Sequence, residues 1–195
     1  MGLELPRRLF HMLGGLSIAL SGLVLPEQIF IPSLIAATAG FVGLDIARFF
    51  SRRVNRWFLS VFHAMMRENE SARITGSSYL ALGALASFIL FETPVAAMSL
   101  CFLATGDPVS GMVGGKRQKR RTTIRSLTGG AACFGACLAV AGAFHLSTGV
   151  PLAPAATGAL FAAIAESLPI PLDDNLTIPL AGGLAVEAAR ILLAI

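Results

Sequence analysis

Seven apolar stretches alternate with short polar segments along the chain. Six of them cover about 9–25, 29–47, 74–91, 127–146, 155–165 and 175–195. The remaining stretch, fourth in chain order, begins near 95 and ends early, at Gly106-Asp107-Pro108. The longer ones match the roughly 20 residues that an α-helix needs to cross a bilayer. Glycine and proline at 106–108 predict a break in the fourth helix. The pattern therefore predicts an all-α integral membrane protein, a bundle of about seven transmembrane helices.

The composition supports a bilayer environment. Hydrophobic residues make up 55% of the chain and charged residues 13%, whereas a soluble domain carries roughly 25% charge. Segment 126–165 contains no Asp, Glu, Lys or Arg. These features exclude a disordered chain, a basic domain that binds nucleic acid and an ordinary soluble enzyme. No cleavage site follows the first apolar stretch, so we expect it to be retained and residues 1–195 to form a single transmembrane domain.

The basic residues predict the orientation. All 15 except Arg190 fall before the first span, between the second and third, or between the fourth and fifth. They are Arg7, Arg8, Arg48, Arg52, Arg53, Arg56, Arg67, Arg73, Lys116, Arg117, Lys119, Arg120, Arg121 and Arg125. With seven spans these segments share one side of the membrane. The positive-inside bias then puts the N-terminus in the cytoplasm and the C-terminus outside.

Segment 48–73 mixes arginines with aromatic residues such as Trp57 and Phe58. At helical spacing it is amphipathic, and we interpret it as a cytoplasmic connector on the inner leaflet. It is either a plain surface connector or a segment that helps to admit a lipid substrate.

Two charged pairs at i,i+3 spacing, Asp45 with Arg48 and Glu187 with Arg190, are interpreted as structural ion pairs. The three cysteines are interpreted as small apolar filler.

The first of three polar clusters begins at Gly106-Asp107 and continues through Ser110, Gly111, Gly114 and Lys116. Acids in apolar sequence cost about 2.5–3.5 kcal/mol each on insertion and therefore suggest a function. An aspartate for a metal, followed by small residues and cations for phosphates, would suit a nucleoside triphosphate. The cluster is not a Walker A loop, because Arg117 stands where Ser or Thr is required. The alternative is a polar helix break with topogenic charges.

The other two clusters also fall on the predicted cytoplasmic side. In the second, Ser126 or Thr128 could cap a helix whose N-terminus, with Arg125, would favour an anion. In the third, Glu166, Asp173, Asp174 and Asn175 lie close together around two prolines. Such carboxylates repel one another, and a divalent cation such as Mg²⁺ would relieve that repulsion. The alternative for the second cluster is helix capping alone. The alternative for the third is an acidic solvated loop in which Asp or Asn caps the last helix.

The ordered set of motifs resembles the CTP-dependent polyprenol kinase family, which includes dolichol, phytol and farnesol kinases and a CTP-dependent diacylglycerol kinase. The family's Arg-Lys-x-x-His is similar to Arg7-Arg8-Leu9-Phe10-His11, and its Thr-Gly motif to Ile74-Thr75-Gly76. Its Gly-Asp followed by small residues resembles Gly106-Asp107 through Gly115. Its late Asp-Asn-Leu-Thr-x-Pro-Leu resembles Asp174-Asn175-Leu176-Thr177-Ile178-Pro179-Leu180. The resemblance covers nearly the whole chain and extends distantly to phosphatidate cytidylyltransferases.

The resemblance implies transfer of the γ-phosphoryl of CTP to the hydroxyl of a polyprenol or related lipid alcohol, with Mg²⁺ or another divalent cation. The implied catalytic residues are Asp107, Glu166 and Asp174, and the implied metal ligands are these three with Asp173. The implied nucleotide-binding residues are Gly106, Ser110, Gly111, Gly114, Lys116, Arg120, Arg125, Ser126 and Asn175. The implied lipid-headgroup residues are Arg7, His11 and Thr75. Either Asp107 or Glu166 could accept the proton of the alcohol.

One departure from the family bears on this interpretation. The family's Lys-Ser/Thr-x-Glu-Gly corresponds to Arg125-Ser126-Leu127-Thr128-Gly129, so Thr128 replaces a glutamate. If that glutamate holds the metal, another carboxylate must take its place. Two rivals stay open: a lipid cytidylyltransferase that attacks the α-phosphate of CTP, and a small membrane transporter. The expected location is the plasma membrane of a prokaryote or an internal membrane otherwise, with the site facing the cytoplasm.

Overall fold

A computed structural model describes residues 4–62, 73–114, 127–169 and 171–194, with side chains from residue 9 onward. These ranges contain eight helices and no strand. The helices are α1 (Glu4–Val24), α2 (Glu27–Phe50), α3 (Arg52–Phe62), α4 (Gly76–Leu90), α5 (Thr93–Val113), α6 (Leu127–Thr148), α7 (Leu152–Ser167) and α8 (Asp174–Leu193). Every apolar stretch of the sequence corresponds to one of these helices, and α3 lies in the predicted connector.

Four of the helices, α2, α5, α6 and α8, are long and apolar enough to cross a membrane. Three shorter apolar helices accompany them: Leu9–Val24 within α1, then α4 and α7. Large apolar side chains face outward, among them Leu20, Ile89 and Leu192, which is 84% exposed. A soluble protein rarely exposes so much apolar surface. The all-α fold predicted from the sequence is therefore confirmed for the described residues, and their helices are compatible with a membrane bundle.

Helix α5 forms the centre of the bundle. It packs against α1, α4, α6, α7 and α8. The segment 95–104 is buried along its whole length, with both faces covered by neighbouring helices. A helix that is apolar all round belongs inside a bundle. The candidate site residues of α5 follow this buried segment directly, so their position is set by the core.

The predicted break at Gly106-Asp107-Pro108 is wrong, because α5 continues through it to Val113. Proline removes one backbone hydrogen bond but has a helical φ, and in apolar surroundings the remaining bonds are costly to lose. Gly106 instead permits close packing, since a Cβ there would lie 2.7 Å from the sulfur of Cys133. Cys133 and its neighbour Cys137 are free and buried, as expected of apolar filler.

Contacts between helix ends define two ends of the bundle. The polar end combines the starts of α1, α4, α6 and α8 with the last turns of α2, α5 and α7. The opposite end, here the Glu92 end, is marked by an ion pair of Glu92 with Arg190, 2.7 Å long. Arg190 also lies 3.6 Å from Glu187, which confirms that predicted pair.

Candidate functional site at the polar end

Three helices contribute polar side chains to one narrow pocket at the polar end, whose cavity volume of about 10 Å³ is room for about one water molecule. His11 of α1, Asp107 of α5 and Asn175 of α8 line it, with Met12, Leu103, Ala104 and Pro108 as the apolar wall. Asp107 and His11 are half-buried, and Asn175 is buried. Asp107 belongs to the first polar cluster of the sequence and Asn175 to the third, whereas His11 lies near the start of the chain. The fold therefore brings together a carboxylate, an imidazole and an amide from distant parts of the chain.

The start of α8 fixes Asn175. Asp173 is the N-cap of α8, and its carboxylate accepts hydrogen bonds from the Asn175 backbone N–H (3.1 Å) and side-chain Nδ2 (2.7 Å). Nδ2 also lies 3.3 Å from the carbonyl oxygen of Gly76, to which it donates. Such a cap satisfies backbone donors of the first turn. The capping role considered for the third cluster thus applies to Asp173, and Asp174 follows as the first residue of α8.

His11 and Asn175 both pack against the first residue of α4. A Cβ at Gly76 would lie 3.0 Å from Cε1 of His11 and 3.2 Å from Nδ2 of Asn175. Any larger residue would therefore push one of these side chains aside. Glycine at this position allows His11 and Asn175 to pack closely against α4, which gives a physical reason for glycine at position 76.

Glu166 and Ser110 join the ends of α7 and α5. The Ser110 hydroxyl donates to Oε1 of Glu166 over 2.8 Å, and both side chains are fully buried. Gly129 near the start of α6 approaches closely, since a Cβ there would lie 3.0 Å from the Ser110 oxygen and 3.4 Å from the Cα of Gly114. A buried carboxylate requires such hydrogen bonds. The three sequence clusters therefore meet at one end of the bundle.

Thr75 lies outside the pocket wall, in a buried network. It is the N-cap of α4, and its hydroxyl donates to Oδ2 of Asp45 over 2.9 Å. Arg48 Nε donates to the other oxygen of Asp45 over 2.7 Å, which confirms the predicted i,i+3 pair. Sequence reasoning missed the links from this pair to α4. The available signal was an acid and a base within the last turns of an otherwise apolar helix.

The remaining predicted site residues lie at helix ends or outside the described residues. Gly111 lies in the last turn of α5, and Gly114 is its C-cap. The backbone of Arg7 belongs to α1. The predicted phosphate contacts Lys116, Arg120, Arg125 and Ser126 lie outside the described residues.

The chemistry of the pocket suits a hard cation that is shared with phosphates. Within the described ranges, no three His, Cys, Asp or Glu side chains gather closely enough to hold a metal ion together. Mg²⁺ does not require such a cage, because it is commonly held by one or two carboxylates plus substrate phosphates and water. Asp107 supplies a carboxylate and Asn175 an amide at the same pocket. A carboxylate and an amide are compatible with Mg²⁺, whose remaining ligands would be water or phosphate oxygens.

No family model, curated protein or solved structure matches the chain. The interpretation of the site therefore depends on its residues and on the motif resemblance.

Proposed function

We propose that the chain is a membrane lipid kinase that transfers the γ-phosphoryl of CTP to the hydroxyl of a polyprenol or related lipid alcohol, with Mg²⁺. One observation carries the proposal. His11, Asp107 and Asn175, each from a different motif of the resemblance, line a single pocket. A fourth motif contributes Gly76, whose carbonyl accepts a hydrogen bond from Asn175. CTP as the donor rests on the resemblance alone.

Phosphoryl transfer needs mainly positioning and neutralisation of charge. The alcohol oxygen would attack the γ-phosphorus, the bond from that phosphorus to the β–γ bridging oxygen would break, and CDP would leave. Mg²⁺, when bound, would neutralise phosphate charge, with Asp107 and Asp174 as its ligands, supported by Glu166 and Asp173. The proton of the alcohol would pass to Asp107 or Glu166. Of these two, Asp107 is the one that lines the pocket.

His11 fits a role beside the lipid headgroup. Its ring packs against Gly76 at the pocket wall, and α1 packs against α5 and α4 around it. We assign Arg7 and His11 to the headgroup side of the site, and the lipid tail to the space between helices. Thr75, which the resemblance also implies there, is buried against Asp45 and would act only through its neighbours. Lys116, Arg120 and Arg125 are assigned to the phosphates on the strength of their charge and place in the sequence.

The proposal includes seven membrane crossings with the polar end in the cytoplasm. The seven apolar helices begin and end alternately at the polar end and the Glu92 end, as crossings in sequence require. In the sequence, all the basic residues except Arg190 lie within the first turns of α1, between the last turn of α2 and the start of α4, or between α5 and α6. Cytosolic CTP would then reach the pocket directly, and the lipid hydroxyl would approach from the inner leaflet.

A transfer assay with labelled CTP tests the proposal. The purified full-length chain, Mg²⁺ and a panel of lipid alcohols are incubated with CTP labelled at either the α- or the γ-phosphate. Label in the lipid from γ-labelled CTP alone supports a kinase. Label from α-labelled CTP would identify a cytidylyltransferase instead, and a lipid fraction unlabelled with every alcohol and nucleoside triphosphate would contradict both activities.

A further inference from the structure

Asp45 is the centre of a buried hydrogen-bond network near the pocket. It is 1% exposed. Its Oδ2 accepts from the backbone N–H of Thr75 (2.8 Å), the hydroxyl of Thr75 (2.9 Å) and the hydroxyl of Ser78 (2.6 Å). Its Oδ1 accepts from Nε of Arg48. One side chain of α2 thereby holds the cap and the first turn of α4.

Arg48 extends the network to the surface helix α3. Its guanidinium lies 5.0 Å from the centre of the Phe58 ring, within the range of a cation–π contact. Phe58 is buried, whereas its neighbour Trp57 is 54% exposed. Nη2 of Arg48 donates to the carbonyl of Arg73, two residues before Thr75. Arg48 therefore contacts both α3 and the segment that leads into α4.

The backbone at 75–76 links the hydrogen-bond network of Asp45 to two residues that line the pocket. Thr75, held by Asp45, is followed at once by Gly76. The carbonyl of Gly76 accepts a hydrogen bond from Asn175, and a Cβ on Gly76 would lie only 3.0 Å from the ring of His11, so the backbone there is close to that ring. A displacement of the α4 cap would therefore shift the surface on which two pocket residues rest.

Burial of an ion pair adds little stability by itself, because desolvation offsets the attraction and apolar residues of similar size often stabilise as well or better. A fully hydrogen-bonded pair does, however, fix geometry closely. We propose that Asp45 and Arg48 are positioning residues that connect α3, through Thr75 and Gly76, to His11 and Asn175. The catalytic consequence rests on the proposed kinase function, whereas the geometric consequence does not.

A set of threonine variants tests the connection. Thr75→Val removes the hydroxyl that bonds Asp45, and Thr75→Ser keeps it. Thr38→Val is the matched control, since Thr38 is a buried threonine of α2 whose hydroxyl lies 3.3 Å from the carbonyl of Ala81 on α4, away from the pocket. The first readout is the NMR signal of the His11 ring, assigned among the three histidines by its loss in His11→Gln.

Thr75→Val is expected to shift the His11 signal and to lower kcat for lipid phosphorylation about tenfold or more, as a misplaced site would. Thr75→Ser should keep the wild-type His11 signal and the wild-type kcat. Thr38→Val should change neither the signal nor kcat. An unshifted His11 signal in folded Thr75→Val would overturn the proposal. If the wild-type chain transfers no phosphoryl group, the kinase proposal fails, and the NMR comparison still decides the positioning role.

A second variant changes the network at α3 and leaves the residues of the α4 cap unchanged. Phe58→Ala removes the ring beneath Arg48 on the surface helix. We expect it to shift the His11 signal and to change the emission of Trp57, the only tryptophan of the chain. A change at Trp57 with an unmoved His11 signal would show that α3 is not connected to the pocket.

Discussion

At the scale of single residues, the Ser110–Glu166 hydrogen bond gives a direct prediction. Ser110→Ala removes a donor from a fully buried carboxylate, which we expect to cost about 1–3 kcal/mol of stability. Ser99→Ala is the control, because Ser99 is equally buried in α5 but donates only to the carbonyl of Ala96 in its own helix. Unfolding measurements in detergent should show that Ser110→Ala is less stable than Ser99→Ala. Equal stabilities would mean that Glu166 does not depend on Ser110.

Residue chemistry alone indicated part of this site. Asp107 and Asn175 were identified because charged and amide side chains are rare in apolar sequence, and both line the pocket. The partners of Thr75 could not be read in the same way. Its bond to Asp45 joins positions 30 residues apart, and a hydroxyl that caps a helix looks the same in sequence as one that binds a ligand.

Among the helices, close contacts through glycine predict a second result. A Cβ on Gly83 of α4 would collide with the carbonyl of Asn175 and lie 3.2 Å from the Cα of Leu176. Gly83→Ala must therefore push α4 away from the start of α8, at a cost of about 1–3 kcal/mol. Phosphoryl transfer should fall with it, because Asn175 moves. Thermal unfolding and the labelled-CTP assay measure the two effects.

Gly135→Ala is the matched control for Gly83→Ala. Gly135 lies on the exposed face of α6, and a Cβ there would have no atom within 4 Å. Alanine is favoured over glycine in a helix by about 0.8–1.0 kcal/mol, so this variant should be as stable as the wild type or more so. A destabilised Gly135→Ala beside an unaffected Gly83→Ala would show that the α4–α8 contact is misplaced.

The helices themselves were largely predictable, because a long apolar run has few alternatives to a helix in a bilayer. The error in α5 has a simple cause. The sequence rule treats Gly106 and Pro108 as helix breakers, as they are in water, whereas burial in the centre of the bundle keeps the helix intact. The neighbours of each helix could not be predicted, because most apolar side chains are interchangeable in packing.

For the whole molecule, orientation is the testable claim. Gln28→Cys places a thiol at the Glu92 end and Arg53→Cys places one at the polar end, both at exposed positions. In intact cells, a membrane-impermeant maleimide should label Gln28→Cys, and it should label Arg53→Cys only after permeabilisation. The wild-type chain is the control, since its cysteines are buried. Labelling of Arg53→Cys from outside would reverse the proposed orientation.

The most direct test of the central claim compares two carboxylates at opposite ends of the bundle. In the γ-labelled CTP assay, Asp107→Asn should reduce label in the lipid to background, because it removes the carboxylate that lines the pocket. Glu27→Gln, the same change at an exposed position near the Glu92 end, should keep wild-type transfer. Equal transfer by wild type, Asp107→Asn and Glu27→Gln would contradict the assignment of the reaction to this pocket.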